Sequence, residues 1–328
     1  MQLIENMDLS SNNTLGLPAF ARFGATIAHA DDIPALITIT KDKDLKVRIL
    51  GRGSNCLIQP EVDAVVGVMA IKGRDVQADG PSTRLVTAQA GEDWPELVEW
   101  TVAEGLTGLE NLAGIPGTVG AAPVQNIGAY GLELADRLHA LTAYDTIEGQ
   151  FRTFTPEECD FAYRTSLFKQ NPGRFIIAEV TLALSTDWQP VLDYPGLADD
   201  ASLDTAAAVM NRVLAVRQSK LPDWRTLGNA GSFFHNPIVS IDIANRIEGA
   251  PVHPLGDNQA KLSAAWLIEQ CGFKGCRRGA AGVYDKHALI IVNHGGATYD
   301  DIAGLAAEIS AAVKDRFGIT LAQEPIGI

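Results

Sequence analysis

Cysteine is scarce in this chain of 328 residues: there are four, at 56, 159, 271 and 276. None forms a Cys-Xaa-Xaa-Cys pair and none has histidines at metal-ligand spacing, so no disulfide framework or metal site is indicated and the thiols read as reduced. Positive charge is also short. Lys plus Arg total 26 against 40 Asp plus Glu, giving a formal charge of −14 and a pI near 4.8. Nucleic-acid binding draws on a basic surface, so this balance argues against it. An anionic substrate must instead be gripped by a few placed cations. There is no run of 18 apolar residues, and the opening Met-Gln-Leu-Ile-Glu-Asn-Met-Asp lacks the basic flank and apolar core of a signal peptide. A cytoplasmic protein without membrane contact is expected.

Familiar motifs are missing as well. Gly51-Arg-Gly-Ser-Asn55 follows a strand-like Lys46–Leu50, but the third glycine of a dinucleotide fingerprint is replaced by Cys56 and no helix follows. Gly-Xaa4-Gly-Lys-[Ser/Thr] and Gly-Xaa-Ser-Xaa-Gly are absent. Gly51, Gly53, Ser54 and Asn55 therefore read either as a plain hairpin turn or as a backbone nest for a phosphate on another scaffold.

What the chain does have is glycine in one place. Between 108 and 131 six glycines fall at 108, 114, 117, 120, 128 and 131, with prolines at 116 and 123. Such a loop can lay bare N–H groups against a flat, polar ligand that a Cβ would push away. Its polar side chains are Asn111, Thr118, Gln125, Asn126 and Tyr130, with no carboxylate, His or Cys between Asn111 and Gly131. Neither a metal nor an acid–base pair belongs here, and a cofactor loop formed by Gly114, Ile115, Pro116, Gly117, Thr118, Gly120, Gln125, Asn126, Gly128, Ala129 and Tyr130 is the reading.

The length suits two or three domains, and 46% hydrophobic with 20% charged residues is ordinary for a globular protein. Strands are expected at 46–50, 64–71, 85–90, 138–144, 150–154 and 174–184, with a helix capped by Asp93 and stopped at Gly105. That mixture is α+β rather than an alternating parallel sheet. After turn-rich residues 185–203, Asp204 is expected to cap a long helix reaching Lys220. A helix at about 261–270, a strand at 287–293 and a helix at 300–317 follow. The ordered part is expected to open at the Asn12–Gly16 turn, giving domains at 12–187 and 204–325 with the boundary in 185–203.

Gly-Arg-Gly-Ser-Asn, Gly-Leu-Glu-Asn-Leu-Ala-Gly-Ile-Pro-Gly-Thr-Val-Gly, Gln-Asn-Ile-Gly-Ala-Tyr-Gly, Phe161-Ala-Tyr-Arg, Lys220-Leu-Pro-Asp and Gly228-Asn-Ala-Gly-Ser-Phe-Phe-His-Asn-Pro occur in this order. With these six, the chain resembles the UDP-N-acetylenolpyruvoylglucosamine reductases (UDP-N-acetylmuramate dehydrogenases), the FAD enzymes of peptidoglycan precursor synthesis. The match is to their longer type, which has a substrate-closing tyrosine. The resemblance implies a vanillyl-alcohol-oxidase-like FAD-binding fold of two α+β subdomains, then a C-terminal α+β substrate-binding domain. It implies non-covalent FAD, NADPH as hydride donor and UDP-N-acetylglucosamine enolpyruvate as substrate, in a monomer. By the same match, Arg164, Ser232 and Glu324 are catalytic, while Tyr194, Lys220 and Asn236 hold the substrate. Arg217, three residues before Lys220 on the same helix end, can serve the same anion. Two departures stand out. Ala121-Ala122 replaces the Ser-Ser of many relatives, and Pro325-Ile-Gly-Ile follows Glu324 where many relatives have Val-Arg, so Glu324 is matched through Leu321-Xaa-Xaa-Glu alone. Two alternatives share these pockets. A flavin oxidase of this scaffold often tethers FAD through a histidine near the first loop, and Gly51–Asn55 has none. A non-catalytic nucleotide-sugar binder would need no Arg164 and Ser232 pair.

Overall fold

The computed structural model describes residues 1–198, 200 and 202–328. The chain forms two compact units, and neither is one continuous segment. The first takes Met1–Met7, Ala21–Arg52 and Asp63–Ser219; the second takes Asp8–Phe20, Gly53–Val62 and Lys220–Ile328.

The first unit carries two sheets. One has four strands in the order Ile4–Asp8, Phe20–Ile27, Glu61–Met69, Lys46–Leu50, with the last two parallel. The other has five in the order Gln150–Phe154, Leu138–Asp145, Phe175–Ser185, Thr83–Gln89, Arg74–Ala78, all antiparallel. Alternation drives this second sheet: Val180, Leu182 and Leu184 of one strand are buried together with Val86 and Ala88 of its neighbour. The helix Trp94–Ala103 begins as its sequence dictates. Asp93 accepts from the Glu96 N–H at 3.2 Å, Pro95 sits in the first turn, and Leu97 and Val98 face the core.

The second unit is built around Gly228–Ser232, Ile290–Asn293, Ala281–Val283 and Arg277–Arg278, in that order in one antiparallel sheet. The helix Tyr299–Phe317 packs Ile302, Leu305, Ile309 and Val313 into its core. Thr298 and Asp301 form a capping box at its start, and Gly318, at φ +71°, ends it.

Four expectations need correction. Order begins with the strand Ile4–Asp8, before the Asn12 turn. A helix at Asp32–Asp42, burying Ile33, Leu36 and Ile37, was not expected. The helix Ala206–Lys220 takes its cap bond from Thr205, whose Oγ1 accepts the Ala208 N–H at 3.2 Å, rather than from Asp204. The units divide at Ser219/Lys220, because Val209 and Val213 of that helix are buried in the first unit's core. The boundary expected in 185–203 thus falls inside the first unit; Asp199 and Ala201, within that span, lie outside the described residues.

Candidate active site

In the first unit the glycine-rich stretch lies flat on the structure beneath it. Val119 N–H donates to Glu92 O and Gly120 N–H to Ala90 O, both at 2.9 Å. A Cβ on Gly120 would stand 2.5 Å from the Ala90 Cβ. Gly51 approaches the same loop, since a Cβ there would meet Thr118 Oγ1 at 2.5 Å. Next to it Arg52 pairs with Asp93 at 2.7 Å, the same carboxylate that caps the helix Trp94–Ala103. Gly114 and Gly117 have φ of +69° and +147°, conformations that side-chain-bearing residues avoid. Glycine at 51, 114 and 120 lets these loops pack directly against their neighbours, and the stretch presents polar backbone without a carboxylate, which suits a flat and polar cofactor such as FAD.

Gln-Asn-Ile-Gly-Ala-Tyr-Gly forms a hairpin. Gly128–Ala129 pairs with Leu132–Glu133, and the two-residue turn is Tyr130-Gly131, with φ of +50° and +85°. Positive φ at both positions is the I′ geometry, and it costs a tyrosine strain that only a structured surrounding sustains. Arg164, itself at φ +57°, donates through Nη2 to Gly128 O at 2.8 Å, so the candidate carboxylate clamp is seated on the cofactor hairpin. The Lys169 ammonium fixes the Arg164 carbonyl at 2.8 Å. Arg217 is half-buried beside Gly114, whose added Cβ would lie 3.3 Å from its Nε. Burial draws the Arg217 pKa down, opposed by Tyr130, yet a guanidinium remains charged. Tyr194 meets Tyr130 edge-on, with ring centroids 5.1 Å apart.

The second unit holds the other candidates. Gly53 has φ +61°, and a Cβ there would collide with Asn12 O. Asn55 donates to Glu324 O at 3.4 Å and accepts the Ile326 N–H through its own carbonyl. Ser232 ends a strand opposite Ile290, after Gly231 at φ +71°. The fully buried Phe233 then bonds on both sides: its N–H to Leu289 O at 2.8 Å, its carbonyl to the Glu324 N–H at 2.9 Å. Phe234 bridges Gln323, and His235 N–H donates to Ala322 O. Glu324 is therefore held to the backbone one residue from Ser232, with His235 Nδ1 3.5 Å from its Oε2. Asn236 accepts the Ala264 N–H at 3.0 Å through Oδ1, and its amide nitrogen has no partner among the described residues. Lys220 ends its helix exposed to solvent.

Two amides of the glycine-rich stretch serve the fold instead of facing a ligand. Asn126 donates to Glu133 and accepts from Ala135 N–H. Asn111, 1% exposed, donates to two carbonyls. Sequence reasoning passed over Glu110 and Trp188, joined at 2.9 Å, and Asn229, which accepts the Gly231 N–H and so shapes the turn before Ser232. The only local signal for the last was an asparagine two residues ahead of a loop glycine. Burial pushes the Cys56 and Cys159 thiols up to about 12, which removes thiolate chemistry at both. No helix among the described residues is long and apolar enough to cross a membrane.

Residues 23–155 match the family model of the FAD binding domain, and residues 222–328 that of the UDP-N-acetylenolpyruvoylglucosamine reductase C-terminal domain. The reductase of Ralstonia nicotianae is 46% identical, covering 98% of this chain and 97% of its own. That of Pseudomonas putida is 42% identical over 99% and 98%. The crystal structure of the Thermus caldophilus enzyme superimposes with a TM-score of 0.71 at 26% identity, covering 99% of this chain and 98% of that one. With a glycine-rich loop in one unit, Glu324 bonded to the backbone next to Ser232 in the other, and relatives this similar over the whole length, the chain belongs to the UDP-N-acetylenolpyruvoylglucosamine reductase family of FAD-binding oxidoreductases.

Proposed function

We propose that the protein reduces UDP-N-acetylglucosamine enolpyruvate to UDP-N-acetylmuramate, with NADPH as hydride donor and non-covalent FAD, in peptidoglycan precursor synthesis. The observation that carries the reading is the bridge between Phe234 and Gln323, which brings Glu324 to the backbone of Phe233, the residue after Ser232, although the two segments are far apart in sequence. Bound FAD supplies hydride transfer between NADPH and the enolpyruvyl ether. Gly51, Gly114, Gly117 and Gly120 would hold it, with Arg164 seated on Gly128 O at the hairpin.

Negative charge grows toward the substrate's α-carbon and carboxylate as hydride reaches its β-carbon. The Arg164 guanidinium stabilises that charge as a fork, with Glu324 aiding from the enolate side. Ser232 Oγ delivers the proton to the α-carbon. Tyr194, Arg217, Lys220 and Asn236 hold the nucleotide-sugar end. They are the placed cations and donors that a chain of net charge −14 needs to grip a diphosphate.

The test is direct. The purified protein should be yellow, release all its colour as FAD on acid precipitation, and turn over NADPH continuously only when the enolpyruvyl sugar is supplied. Colour retained in the pellet, or steady turnover with oxygen in place of the sugar, would favour the oxidase reading.

A further inference from the structure

We infer that Glu110 and Asn111 are positioning residues that hold the Tyr194-bearing segment to the cofactor hairpin. The pair lies in a short turn, Glu110–Leu112, and both side chains are 1% exposed. Glu110 Oε2 accepts the Gly108 N–H at 2.7 Å, and its Oε1 accepts the Trp188 indole N–H at 2.9 Å. The Asn111 amide donates to Tyr130 O and to Val191 O, each at 2.8 Å. One planar NH2 group thus fixes two carbonyls in its own plane, one on the turn of the hairpin and one three residues before Tyr194.

These bonds converge. Residues 186–193 have no regular structure, so Trp188 and Val191 are where side chains tie this stretch to the glycine-rich loop. Beyond them Tyr194 opens a turn closed by Leu197 N–H on its carbonyl at 3.0 Å. Tyr194 remains 42% exposed, with its ring edge-on to that of Tyr130. Val191 and Tyr194 also lie over Gly131, whose added Cβ would stand 3.5 Å from Val191 Cγ1 and 3.9 Å from Tyr194 Cβ. A tyrosine on an irregular segment can offer its hydroxyl to a diphosphate in one place only if that segment is pinned. Here the pins are buried, while the hydroxyl-bearing ring faces out.

The inference rests on the reading of Tyr194 as a substrate residue, and a double-mutant cycle separates the two. Tyr194→Phe removes the hydroxyl; Asn111→Asp keeps the shape and removes both donors. Each should raise KM for the enolpyruvyl sugar by roughly tenfold, the effect of losing one hydrogen bond to a charged group. The double variant should be no worse than about tenfold, because both changes remove the same contact. Trp188→Phe, which removes the indole N–H together with part of the ring, should raise KM several-fold. It should also be silent in the Tyr194→Phe background and leave NADPH reduction of the flavin within about twofold. It keeps the test decisive if Asn111→Asp does not fold. Multiplied effects, near 100-fold in the double, would overturn the positioning role alone. An unchanged KM in Tyr194→Phe would overturn the Tyr194 reading and the inference with it.

Discussion

Gly51 offers a measurement in which the structure dictates both the damage and its repair. Its φ is ordinary, so alanine there carries no backbone strain. What the new Cβ meets is Thr118 Oγ1 at 2.5 Å, with Thr118 Cγ2 at 3.4 Å and Cβ at 3.5 Å. Overpacking of this kind costs about 1–3 kcal/mol, and the two loops that must separate are those assigned to FAD. Gly51→Ala should therefore weaken FAD binding by about 5- to 150-fold. Thr118→Ala deletes both nearer atoms and leaves only the Cβ at 3.5 Å, an ordinary contact. In that background Gly51→Ala should cost less than about 0.5 kcal/mol, so the cycle should show coupling of at least 1 kcal/mol. Fluorescence titration of deflavinated protein with FAD measures each corner, and thermal melting without FAD monitors the fold. An equal penalty in both backgrounds would refute the argument that Thr118 is the reason for glycine at 51.

The remaining predictions concern chemistry and acid stability. Ser232→Ala should slow flavin reoxidation by the enolpyruvyl sugar about 10²–10⁴-fold, while NADPH reduction proceeds normally and Ser232→Cys keeps more activity; equal slowing of both steps in stopped flow would remove the proton-donor role. Arg164→Lys keeps the charge but loses the fork onto Gly128 O and substrate, so turnover should fall at least tenfold; wild-type turnover would make Arg164 a structural residue. Burial raises the Asp145 carboxyl pKa, but the Arg174 guanidinium at 3.0 Å and the N–H groups of Ile147 and Glu148 outweigh it and hold it below the ordinary 3.8. A depressed carboxyl contributes stability above its unfolded pKa and loses it as pH falls through the folded one. Asp145→Asn should thus cost about 1–3 kcal/mol at pH 7 and progressively less below pH 3.8, as denaturant melts at each pH will show; a penalty independent of pH would assign the loss to packing.

Much of this protein was legible as a string because the relevant signals are local. Asp93 with Pro95 starts a helix wherever the fold puts it, since the donors it satisfies are those of its own first turn. Alternation along 174–184 marks a strand with one buried face, and Gly51, Gly114 and Gly117 announce close approach or positive φ by being the residues that permit them. The six ordered motifs indicated the chemistry for the same reason: each is a short backbone shape that a cofactor or substrate requires.

Only the tertiary structure decided which atoms those shapes would meet. Asn126 read as a cofactor amide in the sequence and Asn111 as a polar side chain of the same loop, yet their donors go to carbonyl and carboxylate oxygens brought near by folding. Glu324 had only Leu321-Xaa-Xaa-Glu behind it, and its place near Ser232 comes from the backbone bonds of Phe233 and His235, a pairing across most of the second unit. That unit gathers Asp8–Phe20 and Gly53–Val62 with the C-terminal residues, and Ile326–Gly327 runs parallel to Cys56–Leu57. Pairing between distant segments leaves no period in either one, because hydrogen bonding to a partner strand is indifferent to how far away that partner lies in the chain. Local signals marked most of the elements and the chemistry they can carry, though not the helix Asp32–Asp42; folding settled which of those groups hold the fold together.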